Sequence, residues 1–355
     1  AAISTATFSS FTVSISGDGM TTIGRTFAST DRLSLAVPAG SARRIEVTAI
    51  PSSITAASFR GTAVVDIQAG QTVDVPVAMA LHETKIVIPD HFNYRLIMID
   101  DMAGTGWSTG DLGMAAYTLA PDDISFDSSG RIYVANDSTA PSVIRSDDIN
   151  GGNKISFGPN SVMSVTVDRQ RSILYYATAT VLYRNNLDGT NQQQYMDISP
   201  ITSIRSLEVA ADGKLVIGGQ ASTTRALFLF NPTVNPATEN GYLAQSSGGN
   251  LQNAYDLLVK GNEVYVANNA GGANQMIERF TIDTAANTIT YADGYGNQTL
   301  LSSPPTPAGQ FFGPRQFLGI RNDGLVIVDN GSGVARLVYM TDMAGLGWNV
   351  YGQWG

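Results

Sequence analysis

The 355 residues include no cysteine, which excludes disulfides, thiolate nucleophiles and sulfur-bound metals. Histidine occurs only as His82 and His91. A histidine metal centre needs ligands converging from several elements, so both read as exposed turn residues. Charged residues make up 14% of the chain, against roughly 25% in typical soluble proteins. The net charge is −9, and the largest basic cluster is the pair Arg43-Arg44. Without a cationic stripe there is nothing to follow a phosphate backbone, which excludes nucleic acid as a partner. Anionic membrane surfaces are disfavoured for the same reason. No apolar run reaches the roughly 18 residues of a membrane-spanning helix. Helical periodicity, a glycine-rich phosphate loop, a nucleophile elbow and a zinc-protease motif are likewise missing.

A hydrophobic fraction of 43% is enough for a folded core. Ser, Thr, Asn, Gln and Gly, rather than charges, supply the polar surface. That balance is common in secreted and envelope β-proteins, and the lack of cysteine, which does not fix a compartment, is compatible with it; the expectation is a bacterial periplasmic, cell-surface or secreted protein. The chain opens at Ala1-Ala2-Ile3 without Met, and the expectation is a processed chain with a lipid anchor upstream of residue 1.

Residues 1–82 read as short alternating strands separated by turns. Phe11 to Ile15 is followed by the turn Ser16-Gly17-Asp18-Gly19. Leu33 to Val37, Ile45 to Ile50, Ala63 to Ile67 and Thr72 to Val77 follow, bounded by proline and glycine. This spacing predicts a small antiparallel β-sandwich.

From residue 83 to 355 the rhythm changes. A turn rich in Asp, Asn or Gly precedes a hydrophobic strand, as in Asp127 to Asn136, Ala211 to Gly218, Lys260 to Asn268 and Asn322 to Asn330. Ile86, Ile132, Ile173, Leu215, Val264 and Val326 align as equivalents. Their spacing brackets the roughly 40–50 residues of a propeller blade. Each unit offers four strand candidates, the number that makes one blade. One segment recurs strongly: Arg95-Leu96, then Asp101-Met102-Ala103-Gly104 and Gly106-Trp107, returns as Arg336-Leu337, Asp342-Met343-Ala344-Gly345 and Gly347-Trp348. In a ring of six units these first and last copies meet across the seam. The first unit has no obvious inner strand, so either Pro76 to Leu81 supplies one or the first blade is three-stranded.

Ile86 to Asp100 resembles an NHL repeat: a strand, Asp90, a short turn holding Asn93, then Arg95-Leu96 and a second strand. Arg336-Leu337 resembles the same place in the last unit, without the preceding Asn. The first 80 residues resemble the Ig-like or transthyretin-like sandwiches that precede propellers in bacterial envelope proteins. The fold these likenesses imply is all-β, an N-terminal β-sandwich (1–82) followed by a six-bladed NHL-like β-propeller (83–355). NHL propellers as a class bind proteins, peptides or RNA, and related rings include lactonases and lyases, so the fold does not choose a function.

Two sets of residues should line one mouth of the ring. Asp90, Asn136, Ala177, Gly219, Asn268 and Asn330 end the second strands. Their oxygens suit Ca2+, or else they cap local turns. Asp122, Asp123, Arg205, Tyr255, Asp256 and Arg315 begin the inner strands. They orient a polar ligand, or else form rim ion pairs. Trp107 and Trp348 should pack between blades, whereas Trp354, Phe311 and Phe312 are candidates for an exposed contact. The preferred function is non-enzymatic recognition of a protein, peptide or glycan. The binding residues assigned to it are Asp90, Asn136, Asn268, Asn330, Asp123, Arg205, Tyr255 and Arg315. It involves no cofactor, metal ligand or catalytic residue. The alternative is a lactonase-like hydrolase or lyase with a channel Ca2+ held by Asp and Asn. Converging buried carboxylates would favour the enzyme, and a sparsely charged channel with exposed aromatics the binder.

Overall fold

The computed structural model describes residues 8–28, 34–51, 58–82, 86–99, 106–115, 118–138, 141–269, 275–297, 311–321, 324–331, 334–345 and 348–354. Two compact units are present: Ala1–Lys85 with Ser128–Arg131, and Ile86–Asp127 with Ile132–Gly355. Strands dominate both, and the one helical element among the described residues is the single 3-10 turn His91–Asn93.

The first unit holds one five-stranded antiparallel sheet, in the order Ile23–Ala28, Phe8–Ser16, Gly40–Pro51, Ser58–Ile67, Ala80–His82. No second layer of a sandwich is found among its described residues. Two expected strands are not formed: residues 34–39 and 71–79 are irregular, and Ile23–Ala28 pairs instead. Pro38 and Pro76 interrupt the first two segments, each removing a donor that a paired strand needs. Arg43 is buried and donates to the carbonyls of Asp18, Pro38 and Ala39, so it is a structural cation.

The second unit contains six sheets. Blade 1 comprises Ile86–Asp90, Arg95–Ile99 and Ser108–Gly110. Blade 2 comprises Pro121–Phe126, Ile132–Asn136, Val143–Ser146 and Ile155–Phe157. Blade 3 comprises Ser164–Asp168, Ile173–Ala177, Leu182–Asn186 and Gln193–Gln194. Blade 4 comprises Ser203–Val209, Leu215–Ala221, Thr224–Phe230 and Tyr242–Gln245. Blade 5 comprises Ala254–Lys260, Glu263–Asn269, Gln275–Asp283 and Thr288–Asn297. Blade 6 comprises Pro314–Arg321, Gly324–Gly331, Val334–Met340 and Asn349–Trp354.

In blades 2 to 6 the first strand is innermost, and each lies beside the next around the ring. Ile86–Asp90 of blade 1 lies beside both Pro314–Arg321 and Pro121–Phe126, which closes the circle. The seam is apolar: Ile86, Ile88, Ile97 and Ile99 of blade 1 pack on Val328 and Leu337 of blade 6. Alternation drives this packing, because odd and even residues of a strand serve opposite neighbours. Val87 and Leu96 of blade 1 pack the other way, on Ile132, Val134 and Ile144 of blade 2.

Blade 1 is three-stranded among the described residues. Ala80–His82 pairs with Ser58–Arg60 in the first unit, so the Pro76 to Leu81 segment does not supply an inner strand. By register and packing, Ile86–Asp90 corresponds to the second strand of the other blades.

The recurrent Asp-Met-Ala-Gly segment lies partly outside the described residues, at 100–105 and 346–347. Trp348 packs as expected, against Tyr295 of blade 5 and Phe311. Trp107 is 41% exposed and departs from that expectation. Phe311 and Phe312 are buried, at 0% and 4%, rather than presented for contact: Phe311 packs between blades 5 and 6, and Phe312 lies against the Arg336 guanidinium. The side chain of Trp354 lies outside the described residues.

A cavity at the missing strand of blade 1

The inner strands of blades 2, 4, 5 and 6 each carry an irregularity at one equivalent position. Asp122, Arg205, Tyr255 and Arg315 are the extra residues, skipped in the pairing with the second strand. A bulge bends its strand and re-aims a side chain. Here all four side chains are directed to the same mouth, where they line one cavity.

The next residue in each inner strand forms a belt. Asp123 Oδ2 accepts from Ser164 Oγ (2.7 Å) and the Val165 amide (3.0 Å) of blade 3. Ser164 Oγ in turn accepts from the Leu207 amide of blade 4 (2.9 Å). Ser206 Oγ donates to the Ala254 carbonyl of blade 5 (2.8 Å). Asp256 Oδ2 accepts from the Phe317 amide of blade 6 (2.7 Å). Gln316 Nε2 then donates to Asp123 Oδ1 at 3.4 Å, linking blade 6 directly to blade 2. The belt bypasses blade 1, which has no inner strand among the described residues.

What that strand would fill is partly open. A cavity of about 250 Å³ lies between the inner strands of blades 2 and 6, in front of blade 1. Its apolar wall is Ile88, Ile97 and Val328. A chain of polar and aromatic contacts runs around its mouth. Asp122 pairs with Arg205 (2.8 and 3.4 Å). Arg205 lies over the Tyr255 ring at 4.4 Å, and Arg315 lies 4.9 Å from the same ring. Arg315 also lies 5.7 Å from the ring of Phe92, which packs edge-on with His91 at 5.1 Å. His91 Nδ1 stands 3.8 Å from Asp122 Oδ1, completing the circuit. His91 is thus a cavity residue and not an exposed turn histidine. The side chain of His82 lies outside the described residues.

Of the residues expected to bind, Asp90, Asn330, Arg205, Tyr255 and Arg315 line this cavity. Asp123 sits in the belt. Asn136 and Asn268 do not reach the cavity. Asn136 Oδ1 accepts from the Ala120 amide, and Asn268 Oδ1 accepts from the amides of Gln252 and Asn253. Both thereby cap the loop leading into their blade's inner strand. The equivalent residue in blade 6 is Asp329, not Asn330: it accepts from the Phe312 and Gly313 amides. Asp90 holds the same position in blade 1. With no inner-strand loop to cap among the described residues, it binds Asn93 Nδ2 and Arg95 Nε and borders the cavity.

Three carboxylates converge on the channel. Burial pushes Asp123 up to about 6, despite the hydrogen bonds it accepts from Ser164, Val165 and Ile124, with the charge of Asp122 adding to the rise. Burial pushes Glu208 up to about 7, against its bond from Thr166. Asp256 is raised by burial and then by the charge of Asp123. Their oxygens are directed to amides and hydroxyls of neighbouring strands. Among the described residues no group of three acids or histidines could hold a metal ion. Nothing in the sequence points to His91, Phe92 and Gln316 as cavity residues or to Glu208 as a channel acid. The one local feature around the first two is the three-residue turn between two strong strands.

No family model matches the chain, and neither does any curated protein. Solved structures do resemble it. The crystal structure of a nidogen/laminin complex superposes with TM-score 0.53 at 12% identity, covering 75% of this chain and 92% of that one. A functionally unknown protein from Desulfotomaculum acetoxidans DSM 771 gives TM-score 0.50 at 15% identity, covering 87% of this chain and 91% of that one. Likeness at such identity speaks for the fold alone. With the six sheets and their closed seam, it makes the second unit a six-bladed β-propeller.

Proposed function

We propose that the chain is a non-enzymatic recognition protein of the bacterial envelope whose propeller takes its ligand at the cavity in front of blade 1. The ligand is a protein, peptide or glycan that places one group in this cavity. The observation that carries the reading is the convergence of four bulged side chains on one recess with an apolar wall. Such a recess, with a few placed polar groups, is the usual form of a ligand site. The NHL likeness of blade 1 supports a recognition role. The low charge and the polar surface of Ser, Thr, Asn, Gln and Gly support an envelope setting.

Binding to peptide and glycan arrays tests the proposal, using the native chain beside Asn330→Trp and Phe92→Ala. Asn330→Trp fills the mouth, and Phe92→Ala removes an exposed ring without touching the core. Probes captured by the native chain should be lost on Asn330→Trp with the melting temperature unchanged. Identical capture by all three proteins would refute a site at this cavity.

The convergence of Asp123, Glu208 and Asp256 favours a second reading, a propeller hydrolase or lyase with a channel Ca2+. It requires at least two of these acids to turn from their present donors towards an ion. Millimolar Ca2+ should then raise the melting temperature relative to EDTA, by mass action. Equal melting temperatures remove this reading.

A further inference from the structure

We infer that the cavity is specific for a carboxylate attached to a compact apolar group, and that Arg315 is its anchor. The inference rests on the cavity being the ligand site. Two carboxylates, Asp90 and Asp122, and three guanidiniums, those of Arg95, Arg205 and Arg315, line the recess. Asp90 is matched by Arg95 at 2.8 Å and Asp122 by Arg205 at 2.8 Å. Arg315 is left over, and among the described residues it has no carboxylate partner. The chain carries −9 overall, so one unmatched cation in this recess is a local reversal of sign.

The surroundings of Arg315 define what it lacks. Its guanidinium lies against the rings of Tyr255 and Phe92, at 4.9 and 5.7 Å. Ring contact uses the face of a guanidinium and leaves its edge, where the N–H groups lie, for a planar anion. Its Nε is buried with no hydrogen-bond partner, and so is His91 Nδ1 on the same wall. A buried polar atom without a partner is costly; both atoms are sealed off, so the terminal guanidinium nitrogens of Arg315 are the ones left to meet a ligand in the cavity. A carboxylate meets a guanidinium edge through two parallel hydrogen bonds.

Phosphate fits less well. Its charge of about −1.5 to −2 would sit beside Asp122 and Asp90 with one unmatched cation to offset it. Size and lining define the rest of the ligand. The volume of about 250 Å³ is below the roughly 300–1,000 Å³ of sites for drug-sized molecules. Ile88, Ile97 and Val328 offer no polar groups to it. One aliphatic or aromatic residue bearing a free carboxylate matches both. A peptide C-terminus and a free apolar acid are the two sources of that chemistry.

Calorimetry on the full chain tests this with N-acetyl-leucine, N-acetyl-leucinamide, and a tetrapeptide ending in leucine with its C-terminus free or amidated. The free acids should bind at least 10-fold more tightly than the amides. Arg315→Gln should lose that preference, and Arg315→Lys, which keeps charge without the fork, should be intermediate. Tighter binding of the peptide acid than of N-acetyl-leucine identifies a chain terminus, and equal binding identifies a small acid. Acids and amides binding alike, no acid binding at all, or Arg315→Gln retaining the preference each overturns the inference. If array ligands are still lost on Asn330→Trp while acids and amides bind alike, the cavity reading stands and only the anion preference falls.

Discussion

Asp90 and Arg95 in blade 1 repeat Asp329 and Arg336 in blade 6, residue for residue. Each pair sits directly across two antiparallel strands, and each joins Nε to Oδ2 at 2.8 Å. This pair explains why Arg-Leu recurs at the two ends of the ring. Burial separates the copies. Asp329 and Arg336 are 0% and 2% exposed, with Phe312 stacked on the guanidinium at 4.9 Å and two amides bound to the carboxylate. Asp90 and Arg95 are 18% and 39% exposed, and among the described residues no inner-strand loop covers them. Removing one partner of a buried pair strands the other charge in a medium that cannot solvate it. Asp329→Ala should therefore cost about 3–5 kcal/mol. Asp90→Ala removes the same contact at the cavity edge and should cost only about 0–1 kcal/mol. Urea unfolding of the two variants decides the matter, and equal losses would mean that burial is not what distinguishes the copies.

Blades are held together by small side chains on their second strands as much as by large ones. Ala135, Ala177, Ala267 and Val328 face their inner strands at one register position, and in blade 4 that position is Gly218. A methyl group there would lie 2.4 Å from Ser206 Oγ and 2.8 Å from Ala254 Cβ. Ser206 Oγ is fixed by its bond to the Ala254 carbonyl of blade 5, so it cannot yield without loosening the seam. Gly218→Ala should cost about 1–3 kcal/mol by overpacking. Ser206→Gly should recover part of that loss when combined with it, a coupling that thermal unfolding of the double-mutant cycle measures. Additive losses would place the strain elsewhere. At this scale the sequence was a good guide wherever periodicity carries the signal. Second strands such as Ile132–Asn136 and Glu263–Asn269 stand where their alternation and glycine turns put them, and counting strands exposed the incomplete first blade. It was a poor guide wherever one residue is inserted. A bulge leaves hydrophobic composition unchanged, so the sequence puts Arg205, Tyr255 and Arg315 at the mouth without showing that each is the inserted residue of its strand. In blade 6 the sequence points to Asn330, one residue past the true cap Asp329, because Asp329-Asn330 offers two equally good capping residues and only the backbone decides between them. Phe311 and Phe312 read as exposed because they lie at the end of a proline-rich insertion, while tertiary packing buries both.

Around the whole ring, the belt and the channel acids make stability depend on pH in an unusual direction. Asp123, Glu208 and Asp256 come from blades 2, 4 and 5 and lie close together, Asp123 and Asp256 buried and Glu208 half-buried, with Asp123 disfavouring the charge of the other two. Asp123 is raised from 3.8 to about 6 and Glu208 from 4.5 to about 7. A group whose pKa is higher folded than unfolded binds more protons in the folded state between those two values. Folding stability then falls as pH rises through that interval. The contribution is fully present below about 4 and is lost as pH climbs through about 6 to 7. Acids shifted the other way, Asp188, Asp197 and Asp212, lie on the surface, where their bonds are screened and oppose the trend weakly. The melting temperature should therefore rise as pH is lowered from 8 to 5, where most proteins held by ionised carboxylates stay level or soften. Glu208→Gln keeps an acceptor for Thr166 Oγ1 and cannot ionise. It should melt higher than the native chain at pH 8, match it near pH 5, and show a shallower slope between. Differential scanning calorimetry across this range reads all three quantities. A native melting temperature that falls from pH 8 to 5, or a Glu208→Gln slope equal to the native one, would show that the channel acids are hydrated and ionise independently.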